Sequence, residues 1–259
     1  MFFLYAKRYP LSAHTMKALI LSAGYATRLY PLTREFPKPL LTVRHKPIIN
    51  YILDKLELIK DIEEIIVVTN SKFISRFKSW NKGLRSKKRV SLVDDLTKDE
   101  SDKRGAIGDM GFAIEAKRIA DDLLVIGGDN LFDGGLDSFV SFSEAKRPHP
   151  AIGVYHIGDI RQGKRYGVVK LDKYGRIVDF REKPEKPQSP LVAMCLYYFP
   201  AESLGLIREY LGGVARKHDA TGFYIDWLRK KTEVYGFVFR GRWYDIGDRK
   251  FLDEAKERF

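Results

Sequence analysis

Through the first 150 residues, runs of consecutive apolar positions alternate with segments whose apolar residues recur three and four apart. KALILSAG (17–24) opens the series as a buried strand. PIINYILDKLELI (47–59) begins with proline and keeps the helical spacing, so it reads as a helix. EEIIVVTN (63–70) is the next strand, KFISRFKSW (72–80) a helix and RVSLVDD (89–95) a strand. AIGDMGFAIEAKRI (106–119) is a further helix, and DDLLVIGGDN (121–130) is the most continuous buried strand of all. Strands apolar on both faces and separated by helices belong to a parallel sheet covered on both sides, because parallel neighbours need crossover helices. The expected fold is a three-layer, Rossmann-like α/β domain, doubly wound around a mainly parallel sheet.

From residue 151 the rhythm changes. AIGVYHI (151–157), YGVVKLD (166–172), RIVDFREK (176–183) and VAMCLYYF (192–199) are strand-like without long helices between them, and they predict mixed or antiparallel strands added to the sheet. Two helical patterns follow, PAESLGLIREYL (200–211) and FYIDWLRKK (223–231), then strands around VYGFVFRGRWYDIGD (234–248) and a short charged helix. No sharp linker, internal repeat or low-complexity segment interrupts the chain. A single domain over 16–259 is expected, in two halves, 16–150 and 151–259. Met16 opens the first strand pattern, so 1–15 reads as a loose extension or a misassigned start.

Composition narrows the chemistry. The 259 residues, 44% hydrophobic, can bury one large core. No apolar run reaches the eighteen or so residues of a bilayer span, and the apolar patch in MFFLYAKRYPLSAHT is too short for a signal peptide, so a soluble, cytoplasmic chain without a membrane partner is expected. The single cysteine, Cys195, excludes an intramolecular disulfide and a cysteine-rich zinc site, and the five histidines lack metal-ligand spacing. His156, in an apolar strand, reads as a core or edge histidine. A net charge of +12 points to an anionic partner, a phosphorylated small molecule or nucleic acid. The basic cluster RSKKR (85–89) reads as a solvated turn. Without zinc-finger spacing, basic-zipper heptads or an aromatic RNA signature, nucleic acid is not the expected partner.

Ligands of such sheets bind at the carboxyl ends of the strands. Three suggestive stretches fall there: the loop SAGYATRLYPLTREFPKPLL (22–41), GGDN (127–130) and WYDIGD (243–248). The loop lacks the P-loop spacing and the three glycines of a dinucleotide fingerprint. It offers small residues for close backbone approach, followed by Arg28, Arg34 and Lys38, a set suited to phosphates. Each feature also has a plain structural reading: Asp129 as a turn or cap residue, Asp245 as a buried turn residue, Glu182 and Lys183 as a solvated pair in REKPEKP, Arg34 as surface.

AGYATRLYPLTREFPKPLL (23–41) resembles the signature loop of the sugar-1-phosphate nucleotidylyltransferases, the family that includes glucose-1-phosphate thymidylyltransferase. GGDN resembles that family's first metal-aspartate turn, YGVVKLDKYGRIVDFREKP (166–184) its sugar-binding hairpin ending in Glu-Lys-Pro, and GRWYDIGD (241–248) its second metal aspartate. The four motifs stand in order, and the resemblance runs from Lys17 to the C-terminus. It implies an enzyme that transfers a nucleotidyl group from a nucleoside triphosphate to a sugar-1-phosphate, releasing pyrophosphate. Asp129 and Asp245 would hold Mg²⁺, with Asp129 also counted as catalytic. Arg28 would steady the leaving pyrophosphate and Lys38 the triphosphate near the reacting phosphorus. Ala23, Gly24 and Gly105 would line the nucleotide. Gly167, Glu182 and Lys183 would hold the sugar phosphate, Lys183 serving catalysis as well. On this reading 16–150 is the nucleotide-binding half and 151–259 the sugar-phosphate-binding half, and homo-oligomerisation through the sugar-side strands is compatible with it. The close of the chain soon after the second aspartate motif suggests a single activity.

Three departures leave base and sugar open. Ala26 stands where the loop often has a second glycine. Met194 and Cys195 stand where thymidylyltransferase-like members usually have threonine and glycine beside the sugar. RGAIGD (104–109) replaces a Gly-Leu-Ala-Gln-type turn, with Gly105, Ala106 and Gly108 either admitting the base or starting a tightly packed helix. The alternatives are a non-catalytic nucleotide or nucleotide-sugar sensor of the same fold, and transfer to another phosphomonoester such as phosphocholine.

Overall fold

The computed structural model describes residues 15–213 and 220–259; of the extension expected at 1–15, all but Thr15 lies outside the described residues. Continuous apolar runs become strands because helices cover both of their faces. β1 (Met16–Leu21) is followed by a short hairpin, β2 (Thr42–Val43) and β3 (Lys46–Pro47). Then come α1 (Ile48–Leu58), β4 (Ile62–Thr69), α2 (Ile74–Lys82), β5 (Arg89–Asp94), α3 (Gly105–Lys117) and β6 (Asp122–Gly127). β6 is buried at every position, as a strand in the middle of such a sheet must be. The second half adds β7 (Asn130–Phe132), α4 (Asp137–Glu144), β8 (Ala151–His156), β9 (Gly167–Leu171), β10 (Ile177–Glu182) and β11 (Leu191–Phe199). It closes with α5 (Leu204–Gly212), α6 (Thr221–Leu228), β12 (Tyr235–Phe239), β13 (Trp243–Asp245) and α7 (Arg249–Arg258).

The α/β architecture is the expected one. β6, β1, β4 and β5 lie side by side and parallel; β11 runs antiparallel to β6 and carries the antiparallel hairpin β9–β10, while β8 pairs with β11 and β12 adds parallel to β8. One face of the sheet packs against α1, α2 and α4 through Ile52, Leu56, Phe77 and Phe139, the other against α3, α5 and α6 through Met110, Ile114, Ile207 and Ile225. Each such side chain contributes roughly 1.5–3 kcal/mol when fully buried, and together they fix the strand ends from which the loops project.

Two features differ from the sequence reading. The WYDIGD stretch does not end a strand of the main sheet: β13 pairs antiparallel with β7 in a separate two-stranded ribbon, Asp245 opposite Asn130. The run that forms β12 stops at Arg240–Arg242, where Gly241 takes a positive φ of 92° that only glycine adopts freely, and Asp133 accepts from both the Arg242 amide (2.7 Å) and its guanidinium (2.9 Å). This turn carries the chain off the sheet. α4 was also absent from the sequence reading; its buried stripe of Phe139, Val140 and Ser143 is a single helical turn of signal. Residues 85–88 of RSKKR bend into β5, which begins at its last residue, Arg89.

Candidate active site

The loop after β1 is tied down by its carbonyls. Asn70, at the end of β4, donates to the Ala23 carbonyl (2.7 Å); Thr69 donates to that of Ser22 (3.3 Å) and Thr33 to that of Ala26 (2.8 Å). With the carbonyls engaged, the amides of Ala23 and Gly24 donate to no protein acceptor among the described residues, and a row of such amides attracts anions. A side chain at Gly24 would meet no protein atom within 4 Å, so packing does not explain its smallness; open space beside its backbone does. Ala26 sits at φ 51°, ψ 40°, the left-handed region. The methyl therefore costs about 1 kcal/mol through backbone conformation, and the glycine usual at this place is accounted for by geometry.

These residues border a cavity of about 350 Å³ that also touches Thr27, Arg28, Lys38, Gly105, Asp129 and Cys195. The structure thus brings together five residues assigned to the nucleotide, Ala23, Gly24, Arg28, Lys38 and Gly105, with Asp129. Gly105 begins α3 at φ 75°. Gly108 does not border the cavity; a side chain there would press on Arg104, so its smallness serves packing. The hydroxyl of Ser22, buried at the cavity wall, has no hydrogen-bond partner among the described residues. Met194 points into the core, whereas Cys195 borders the cavity in a left-handed conformation, φ 53°. Burial, reinforced by the Asp129 and Asp245 carboxylates, pushes its thiol up to about 12, so it is held as a neutral, inert thiol.

Asp129 leaves β6 through two glycines. A side chain at Gly128 would lie 2.4 Å from the Ser22 hydroxyl and 2.9 Å from the Leu21 carbonyl, so only glycine allows this turn to lie against the end of β1. The ribbon β7–β13 then sets Asp245 beside it, with the Ile246 amide directed at the Asp129 carbonyl (3.4 Å). Asn130 clasps the arrangement, accepting from the Trp243 indole (2.7 Å) and donating to the Cys195 carbonyl (3.2 Å). Burial first, then the neighbouring Asp129 charge, raise the Asp245 carboxyl to about 6, while Lys38, Arg28 and Arg165 draw it back. The Lys38 ammonium pairs with the Asp129 carboxylate and donates to the Ile246 carbonyl (2.9 Å). Arg28 reaches the same place: a side chain at Gly247 would be 3.8 Å from both of its terminal nitrogens and from an Asp245 oxygen. Among the described residues no cluster of three or more metal-ligating side chains occurs. Two carboxylates suit a hard cation that completes its shell with phosphate oxygens and water.

Gly167, Glu182 and Lys183 lie outside the cavity, at the start of β9 and the end of β10, where Gly167 pairs with Glu182. Gly167 is small because Phe180 and Glu182 occupy the space of its side chain, at 2.4 and 3.2 Å, and Gly222 makes the same allowance, with a Glu182 oxygen 1.9 Å from where its Cβ would be. The Glu182 carboxyl is raised by burial. Lys183 takes φ 43° and donates its amide to the Tyr166 carbonyl (3.0 Å). Its ammonium is 3.7 Å from Glu182, and the side chain is 60% exposed. The Tyr166 ring packs on Trp243, and its hydroxyl is raised to about 12 by burial and the Asp245 charge, so this group lies near Asp245. Arg34 is exposed and His156 lies at the exposed end of β8.

Sequence reasoning missed Asn70, Asn130, Arg165 and Gly222. Asn70 and Asn130 close two of the strand patterns and carried a positional signal. Gly222 carried none.

A family model described as nucleotidyl transferase matches residues 17–258. The bifunctional protein GlmU of Methanocaldococcus jannaschii is 30% identical over 234 residues, which cover 90% of this chain and 51% of that protein. A glucose-1-phosphate thymidylyltransferase of Xanthomonas campestris is 29% identical over 250 residues, 92% of this chain and 79% of that one. The chain spans about half the length of the GlmU relatives it matches. In fold it is similar to a UDP-glucose pyrophosphorylase solved with UDP-glucose, with a TM-score of 0.78, 22% identity, and 94% of this chain and 97% of that one covered. No described helix is long and apolar enough to cross a membrane.

Proposed function

The chain belongs to the nucleotidyl transferase family, and on that premise we propose that it transfers a nucleotidyl group from a nucleoside triphosphate to a sugar-1-phosphate. The oxygen of the sugar phosphate attacks the α-phosphorus, the bond to the β-phosphate breaks, and nucleotide-sugar and pyrophosphate leave. The observation that carries this reading is the convergence of Asp129, Asp245, Lys38 and Arg28 beside a cavity walled by unpaired loop amides. The nucleophile arrives already anionic, so no base is required of the protein; its work is to align two mutually repelling phosphates and to neutralise developing charge.

The amides of Ala23 and Gly24 cradle the triphosphate, and Arg28 clamps the leaving pyrophosphate. Lys38, held by Asp129 and the Ile246 carbonyl, meets the phosphate near the reaction centre. Asp129 and Asp245 hold Mg²⁺, which when bound offsets charge on the phosphate oxygens. Glu182 accepts from sugar hydroxyls and Lys183 binds the sugar phosphate. Met194, buried in the core, bears on this chemistry only through packing. A cytoplasmic location and the single-domain organisation in two functional halves belong to the same proposal.

The test is pyrophosphate release by the purified protein with Mg²⁺, across five nucleoside triphosphates and several sugar-1-phosphates, with phosphocholine included. Release that requires one particular pair supports the transferase. Silence across the matrix, with triphosphates still raising the melting temperature, refutes it in favour of a nucleotide sensor.

A further inference from the structure

The cavity has two chemically different ends. The carboxyl ends of β6, β1, β4 and β5 stand in a row. Neighbouring strands are about 4.8 Å apart, which puts the residue after β5 about 14 Å from the turn after β6. Arg28 and Lys38 gather at the β6 end. The β5 end presents carboxylates instead: Asp95, 1% exposed, and Asp109, 6% exposed, with Glu100 beside Lys103 (3.0 Å) at the rim. A triphosphate is repelled from that end, so with its phosphates at the β6 end the base of a bound nucleotide lies over Asp95, Gly105 and Ala106.

Asp95 is held in place from several sides. The Thr97 amide and hydroxyl both donate to its Oδ1 at 2.8 Å, the same hydroxyl is shared with Oδ2 at 3.0 Å, the Tyr25 hydroxyl stands 3.1 Å from that of Thr97, and the Arg104 guanidinium donates to the Asp95 carbonyl (2.6 Å). An ionised carboxylate offers about four acceptor positions; Thr97 touches both oxygens but supplies only two protons, one from its amide and one from its hydroxyl. A carboxylate this deeply buried is stable only with its hydrogen bonds made, and a donor on a ligand completes the set.

We propose that this end of the cavity reads guanine, with the Asp95 carboxylate accepting from the N1–H and the exocyclic amino group of the base. The proposal rests on the reading of the cavity as the nucleoside triphosphate site. Guanine alone among the common bases offers two adjacent donors on its pairing edge. Adenine and cytosine offer one amino group next to an acceptor nitrogen. Uracil and thymine set a single N–H between two carbonyls, which a carboxylate repels. A polar site built to accept hydrogen bonds discriminates strongly, because a wrong base leaves buried groups unpaired.

Titration calorimetry of the purified protein with GTP, ATP, CTP, UTP and dTTP tests this. GTP binds tightest, by tenfold or more over UTP and dTTP. Asp95→Asn keeps an oxygen for the Thr97 amide but replaces one acceptor with a donor, and it shrinks the ratio of GTP to UTP affinity at least fivefold. Should that variant fail to show a cooperative melting transition, Asp95→Glu, which displaces the carboxylate by one methylene, must shrink the same ratio. UTP or dTTP binding as tightly as GTP overturns the base assignment while leaving the nucleotide reading intact, and so does a ratio that neither substitution moves. Binding of none of the five overturns both.

Discussion

The two sides of the site are held by different means. On the side proposed for the nucleotide, Lys38 is 14% exposed and stands between two prolines, its ammonium fixed by a carboxylate and a carbonyl. On the side proposed for the sugar, Lys183 is 60% exposed and has one loose contact, while its neighbour Glu182 is 11% exposed and wedged against two glycines. A cation held before its ligand arrives loses little freedom on binding, whereas a free lysine gives up nearly 2 kcal/mol of rotamer entropy. The side proposed for the nucleotide is thus preorganised around charge, and the side proposed for the sugar around shape, with one exposed charge at its edge.

Breaking the charge-organised side has the largest effect. Asp129→Asn, nearly isosteric, lowers kcat by about three orders of magnitude, the scale of several kcal/mol of lost charge stabilisation. The melting temperature stays within a few degrees, and turnover within tenfold of wild type would refute the assignment. Breaking the shape-organised side acts through stability: Gly222→Ala forces Glu182 aside and lowers stability by about 1–3 kcal/mol. Thermal melts report that loss, and kinetics show KM rising for the sugar phosphate but not for the triphosphate. An unchanged melt would mean that the slot yields easily. Lys183→Ala raises KM for the sugar phosphate about tenfold, some 1.4 kcal/mol, with little change in melting temperature because an exposed ion pair contributes about 0–1 kcal/mol; an equal rise for the triphosphate would contradict its assignment to the sugar side. Ala26→Gly has the smallest effect. Relief of about 1 kcal/mol of left-handed strain is nearly cancelled by the roughly 0.5–1 kcal/mol of unfolded-state freedom that glycine adds, and a melting shift beyond about 4 °C would show that one of the two dominates.

The contrast also explains what could be read in the chain before its fold. The parallel sheet was legible because β1, β4 and β6 are apolar on both faces, a local property. Asp129 stood out because it follows β6 by two residues, whereas Arg28 and Lys38, seven and seventeen residues past the end of β1, stood out only through the motif of the loop that carries them. Asp245 was legible as a motif but misplaced, since its seat depends on the pairing of β13 with β7, far apart in sequence. The packing role of the glycines around Glu182 was not legible, because what fills the space beside a glycine comes from other strands and helices. Met194 and Cys195 looked alike as departures; only the local backbone of β11 sends one into the core and the other to the cavity.

The wedge around Glu182 constrains change. Gly167 on β9, Glu182 on β10 and Gly222 on α6 form one interlocked unit drawn from three elements. Altering any one of them alone leaves the other two mismatched, so a new sugar preference cannot be approached there by single substitutions that each keep the protein stable. If this is the sugar side, variation in what it accepts is channelled to residues outside the unit, such as the exposed Lys183, and a library aimed at substrate range would gain by randomising that position while holding the three fixed.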